Sequence, residues 1–159
     1  MFYLFGMIGR LFSSLVFSLI SLAIYLISSY AFYKVAKIRS LPNAWLAFIP
    51  FFGLYMTGLI ADSMKYNHYK INRYISDIPL AYALPIAALA TNILPLIPLI
   101  GGLATMVVEF ALWAAELMVY YFVFSLYGEP KMVLPFTALS IIPVVGPCLV
   151  LYVLKDRRY

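Results

Sequence analysis

Leu41–Gly53 reads LPNAWLAFIPFFG, and Leu134–Gly146 reads LPFTALSIIPVVG. The stretches align without a gap as L-P-x-x-x-L-x-x-I-P-x-x-G. The alignment pairs Leu41 with Leu134, Pro42 with Pro135, Leu46 with Leu139, Ile49 with Ile142, Pro50 with Pro143 and Gly53 with Gly146. Self-similarity at a fixed offset is the mark of one structural unit used twice. A proline inside an apolar run removes a helix hydrogen bond and collides with the preceding turn. A glycine three residues later lets the chain turn. Each copy is therefore expected to be an apolar segment that breaks halfway, at Pro50 and Gly53 in the first and at Pro143 and Gly146 in the second.

The surroundings say what kind of protein carries these breaks. Of 159 residues, 65% are hydrophobic and 11% charged, where a soluble domain carries about 25% charge. Leu11–Tyr33, Ser40–Ala61, Ile78–Val108 and Met132–Leu154 contain no charge at all. About 20 apolar residues cross a bilayer, so the chain reads as an all-α integral membrane protein, with residues 1–159 forming a single membrane domain. The net charge is +5, but the basic residues sit in loops beside apolar runs. That is the pattern of membrane topology rather than of nucleic-acid binding. Cys148 is the single cysteine, so it forms no intramolecular disulfide and packs as a small hydrophobe.

Leu11–Tyr33 is too long for a signal-peptide core and ends at Tyr33-Lys34 rather than at a small-residue cleavage site. It reads as a retained span, its serines bonding within the helix or to a neighbour. Lys34, Lys37 and Arg39 follow as a basic cluster. Between Asp62 and Asp77, Met64, Ile71, Ile75 and Ile78 fall at helical spacing, with Lys65, Lys70 and Arg73 mostly on another face. This stretch reads either as an amphipathic helix whose basic residues meet anionic lipid headgroups or as a charged loop. The only histidine, His68, has no Cys or His partner for a metal site. From Ile78 to Gly128 there is length for two spans, with Gly101-Gly102 as the turn. Pro79, Pro85, Pro95 and Pro98 should make the first of them irregular.

Charge counting selects a topology, because short cytoplasmic loops collect Lys and Arg. With five full spans and the N-terminus outside, the inner side receives only Lys34, Lys37, Arg39, Lys155, Arg157 and Arg158, close to half of the 11 basic residues. If both broken segments dip in and return to the same side, all of the 11 except Arg10 lie inside. The expected architecture is therefore three full transmembrane helices plus two re-entrant hairpins, with the N-terminus outside and the C-terminus cytoplasmic. Five full spans is the alternative. Re-entrant backbone is tolerated where protein or a water-filled cavity covers it. The repeat units, about residues 11–61 and 103–154, would be related by an axis along the membrane normal. The loop at 62–77 and the helix at 78–100 would join them.

Glu109 and Glu116 lie about two turns apart on one face of the most regular apolar run. An intramembrane carboxylate is a functional hypothesis by default, because its unpaired charge costs several kcal/mol there. Glu109, Glu116 and Asn92 are the candidate proton- or ion-binding residues. The competing reading is that Glu116 hydrogen-bonds to Asn92, Thr91 or a serine and holds helices together. Trp113, Tyr120 and Tyr121 read as packing and interfacial anchors. The sequence contains no HExxH, cysteine pair, phosphate loop or complete Ser–His–Asp set. No enzyme activity, cofactor or metal is expected.

Ala44–Pro50, AWLAFIP, followed by Leu54, Tyr55 and Gly58, resembles a motif of uncharacterised small polytopic membrane proteins of Gram-positive bacteria. There a basic cluster precedes a W-x-A-x-I-P segment and a proline-rich apolar segment closes the chain. The resemblance covers about half of the sequence. It implies a bacterial cytoplasmic membrane, and it brings no substrate and no catalytic residue. The repeat, the breaks and the carboxylates favour a small permeation or transport protein for an ion or small solute, in which case three spans require a homo-oligomer. The alternatives are a non-catalytic accessory or assembly subunit of a larger membrane complex, and a lysis- or immunity-type membrane protein.

Overall fold

The computed structural model describes residues 2–67, 77–98, 100–155 and 157, with side chains from Val16 onward in the first helix. Lys70 and Arg73, His68, Ile71, Ile75 and Arg158 lie outside the described residues. The described residues are helices and turns, without a strand.

Helix α1, Phe2–Ile38, is 37 residues long, or about 55 Å at 1.5 Å per residue. It ends in a Schellman motif. Ser40 takes the left-handed conformation at φ 53°, the Ser40 N–H donates to the Lys37 carbonyl at 2.9 Å, and the Leu41 N–H donates to the Ala36 carbonyl at 2.9 Å. Asn43 is left-handed as well, as its short polar side chain permits. A 3-10 turn, Ala44–Phe48, then climbs along α1, with Tyr25 Oη donating to the Phe48 carbonyl at 2.8 Å.

The expected break is present, and its cause is local. A residue preceding proline is pushed out of the helical region, and Ile49 is extended at φ −97°, ψ 122°. Pro50 then opens helix α2, Pro50–Met64, where its missing N–H costs nothing. Gly53 does not turn the chain as expected. It lies in the first turn of α2, and its N–H donates to the Ile49 carbonyl at 2.7 Å. The break therefore belongs to the Ile49–Pro50 pair alone.

Helix α3, Leu80–Ile93, carries Pro85 inside it and tightens into a 3-10 turn at Leu94–Leu96. The chain reverses after the 3-10 turn and before Gly101-Gly102, and Gly101 opens helix α4, Gly101–Tyr127. Helix α5, Val133–Leu139, turns through Ser140–Val144 into helix α6, Val145–Val153. Pro143 sits in that turn. Gly146 again lies inside a helix rather than at the bend.

Both broken segments leave one end of the protein and come back to it. Arg39, before the first segment, donates from Nε to Ser63 Oγ at 3.3 Å and from Nη2 to the Ser63 carbonyl. Arg157, after the second, lies 5.7 Å from the ring of Tyr127, which precedes that segment. Helix α3 starts at this same end, because Asp62 of α2 accepts from the Leu80 N–H at 3.2 Å and the Ala81 N–H at 2.9 Å. Gly58 permits the approach of α2 to α3: a Cβ there would stand 2.2 Å from the Leu80 carbonyl oxygen. Helix α4 runs back antiparallel to α3, and Phe32 of α1 stacks on Tyr120 of α4 at 5.9 Å. Lys34, Lys37, Arg39, Lys65, Lys131, Lys155 and Arg157 consequently belong to segments that meet at one end.

The packed core lies toward that end too, built from Val35, Met56, Ile60, Met64, Phe122, Phe124 and Leu154, all fully buried. Val16–Ile38, 23 residues, and Gly101–Tyr127, 27 residues, are long and apolar enough to cross a membrane. The third expected span is a shorter apolar helix, Leu80–Leu96.

Candidate functional site

The breaks converge on one residue of α4. A cavity of about 390 Å³ is bounded by Tyr25, Ser28, Ser29 and Phe32 of α1, by Ala47, Pro50, Gly53 and Thr57 of the first broken segment, by Leu84 of α3, and by Leu112, Trp113 and Glu116 of α4. A smaller cavity of about 50 Å³ also includes Glu116 and is lined by Tyr120 and by Ser140, Ile141 and Pro143 of the second broken segment. Glu116 is exposed, as Glu109 is, but it lines both cavities. Pro50 and Gly53 therefore line one cavity that includes Glu116, and Pro143 lines the other.

Gly146 joins the same assembly through Tyr120. A Cβ on Gly146 would meet the Tyr120 Cζ at 2.9 Å, so the absence of a side chain there lets the ring lie flat against α6. Tyr120 is 2% exposed and stacks on Phe32, and its hydroxyl donates to Glu116 Oε1 at 3.2 Å. The ring is a rigid strut between the second break and the carboxylate. Its spacing from Glu116 is i,i+4, the distance at which two helix residues face each other. That spacing is the sequence signal for the pair, and a reading of Tyr120 as an anchor alone passes over it.

Four hydroxyl-bearing residues border the larger cavity, Tyr25 among them, with its hydroxyl donating to the Phe48 carbonyl. Ser28 donates to the Ile24 carbonyl at 3.0 Å and Thr57 to the Gly53 carbonyl at 3.0 Å, which leaves the oxygen lone pairs of both free to accept. Ser29 is 3% exposed and has no side-chain hydrogen-bond partner among the described residues. Among the described residues no basic side chain lines this cavity.

The other candidates lie elsewhere. Asn92 is not the partner of Glu116: its Nδ2 donates to the Ala88 carbonyl of its own helix at 3.0 Å, and Thr91 likewise bonds to Ala88 at 2.7 Å. Glu109 is exposed and lines neither cavity. Lys65 departs from the expected headgroup contact. It is 4% exposed, pairs with Asp62 Oδ1 at 3.0 Å and donates to the Ile78 carbonyl at 3.1 Å. Asp62 answers the charge of Lys65 and caps the start of α3 at once, so the ammonium is turned inward. Among the described residues no group of three His, Cys, Asp or Glu is placed to hold a metal ion.

No protein-family model, curated protein or solved structure matches this chain.

Proposed function

We propose that this is a multi-pass membrane protein that passes protons or cations through a site centred on Glu116, where the tips of two re-entrant hairpins meet. The observation that carries this reading is that Glu116 lines two cavities, each bordered by one break. Transporters bind ions and substrates where discontinuous helices break near the bilayer midplane, because unwound backbone there lines a cavity instead of facing lipid.

The membrane assignment is supported by how little of the long helices is covered. Only 17% and 28% of their most apolar stretches is buried inside the protein. Phe17, Leu103, Met106 and Phe110 are 66–70% exposed. An apolar surface of that extent suits acyl chains and not water. Helix α3 with its 3-10 extension is roughly 27 Å long, and a bilayer thins slightly to match a short span. The gathering of the basic residues at one end supports an inner, cytoplasmic location for that end and for both hairpin mouths. Resemblance in Trp45, Ala47, Ile49 and Pro50 supports a bacterial cytoplasmic membrane. With so few spans, a homo-oligomer completes the path.

Proton and potassium flux into proteoliposomes tests the proposal, comparing the wild type with Glu116→Gln at matched thermal stability in detergent. Gln retains the size of the side chain and a hydrogen-bond acceptor for Tyr120 but removes the titrating charge. Flux should fall at least tenfold. No flux from the wild type, or equal flux from both, removes Glu116 from transport. Co-purification with a larger membrane partner would then favour the accessory-subunit reading.

A further inference from the structure

The walls around Glu116 narrow the class of cation. A bare alkali ion is held by a close cage of oxygens that replaces its hydration shell. The space beside Glu116 is about 390 Å³, inside the roughly 300–1,000 Å³ range of small-molecule sites and far larger than one ion. Its side-chain oxygens are few: the Glu116 carboxylate, with the hydroxyls of Tyr25, Ser28, Ser29 and Thr57. The remaining wall is apolar and aromatic, with Tyr25, Phe32 and Trp113 bordering the space. Such rings give a hydrated ion nothing that water does not, but they attract an organic cation through their faces and exclude water from its substituents. Among the described residues no basic side chain lines the cavity beside Glu116, which suits a ligand that brings the positive charge.

We infer that the cavity beside Glu116 binds a small organic cation, an ammonium bearing an apolar or aromatic substituent, with Glu116 as its counter-charge. The inference rests on the transport reading for the role of the cavity and adds the substrate class. The ammonium sits at the carboxylate, Ser29 supplies an acceptor from α1, and the apolar substituent lies against the aromatic wall. Gly53, on α2, keeps the space open. Its Cβ position has ordinary clearance, 3.4 Å from the Ala47 carbonyl oxygen, so a side chain can start there, and Gly53→Leu is the substitution chosen to take up space at the cavity wall.

Calorimetry on the purified full chain in detergent tests this with benzyltrimethylammonium, its uncharged carbon isostere neopentylbenzene, and tetramethylammonium as probes. Benzyltrimethylammonium should bind saturably, and both other probes at least tenfold more weakly. Glu116→Gln should weaken its binding at least tenfold. Gly53→Leu, which retains the carboxylate, should do the same, and Glu129→Gln at the basic end should bind as the wild type does. Absence of wild-type binding, equal binding of the uncharged isostere, or wild-type affinity in both Glu116→Gln and Gly53→Leu with an unchanged gel-filtration profile would each overturn the inference. Glu116-dependent proton flux without benzyltrimethylammonium binding sinks the inference and leaves transport standing. Glu116-dependent binding without any flux upholds the inference and sinks transport.

Discussion

The two broken segments share a thirteen-position pattern and are held in place by different means. The first has a second arm of 15 residues, Pro50–Met64, fixed by polar contacts at its far end: Arg39 on Ser63, Asp62 on the start of α3, and Lys65 on Asp62. The second has arms of 7 and 9 residues and is held mainly by packing, with Gly146 against Tyr120 and Phe136 edge-on to Phe124 at 5.6 Å. A proline preceded by isoleucine breaks the helix in the first copy, and proline stands in the turn of the second. The motif therefore specifies a break and says little about the arms. The paired glycines make the same point. Gly53 has room for a Cβ, whereas Gly146 has none.

The polar clamp of the first segment can be broken directly. Asp62→Ala removes the cap from α3 and, with it, the carboxylate that pairs with the buried ammonium of Lys65 at 3.0 Å. Losing one partner of a buried pair costs about 3 kcal/mol or more. Thermal unfolding in detergent should show a larger drop than for any of the glycine substitutions below. A loss within 0.5 kcal/mol, on the order of an ordinary surface substitution, would mean that the clamp does not hold the segment.

Gly58→Ala acts on the same segment through packing. The added methyl would press on the backbone of Leu80 and not on a flexible side chain, and overpacking of this kind costs about 2 kcal/mol. The same unfolding measurement checks it. Unchanged stability would contradict the close approach of α2 to α3.

The glycine pair sharpens the comparison most closely. Gly146→Ala should destabilise by about 1 kcal/mol as the Tyr120 ring yields, and it should lower Glu116-dependent flux because that ring positions the carboxylate. Gly53→Ala should be neutral or stabilise by about 0.5 kcal/mol, since alanine is the better helix former. Equal effects at the two positions would restore the equivalence that the sequence pattern implies.

How much of the fold is legible in the sequence follows the range of the interaction responsible. Breaks at Pro50 and Pro143 are readable because a proline and its preceding residue restrict the backbone within two positions. The long apolar helices and the clustering of basic residues at one end are readable from runs of residue types. The repeat pattern points to Gly53 and Gly146 for the bend itself, and it is wrong there, because both glycines sit in helices. Glu116 stands out as a candidate, but its partner does not. Asn92, Thr91 and Tyr120 are equally polar in one dimension, and only the i,i+4 spacing favours Tyr120. Asp62 on Leu80 and Ala81, and Gly58 against α3, join positions on different helices and leave no local signal. Lys65 has one: its i,i+3 relation to Asp62. The basic pattern of residues 65–73 masks that relation, since it makes Lys65 look like one of a set facing headgroups.

The proposed site at Glu116 requires both broken segments to return to the side from which they entered. Thiol labelling of single cysteines at Asn67, Lys131 and Ile100, in a Cys148→Ala background, measures this directly in oriented vesicles. Asn67 and Lys131 should label with impermeant reagent only from the cytoplasmic side, and Ile100 only from the outside. Labelling of Asn67 or Lys131 from the outside would contradict the hairpins and with them the site at Glu116.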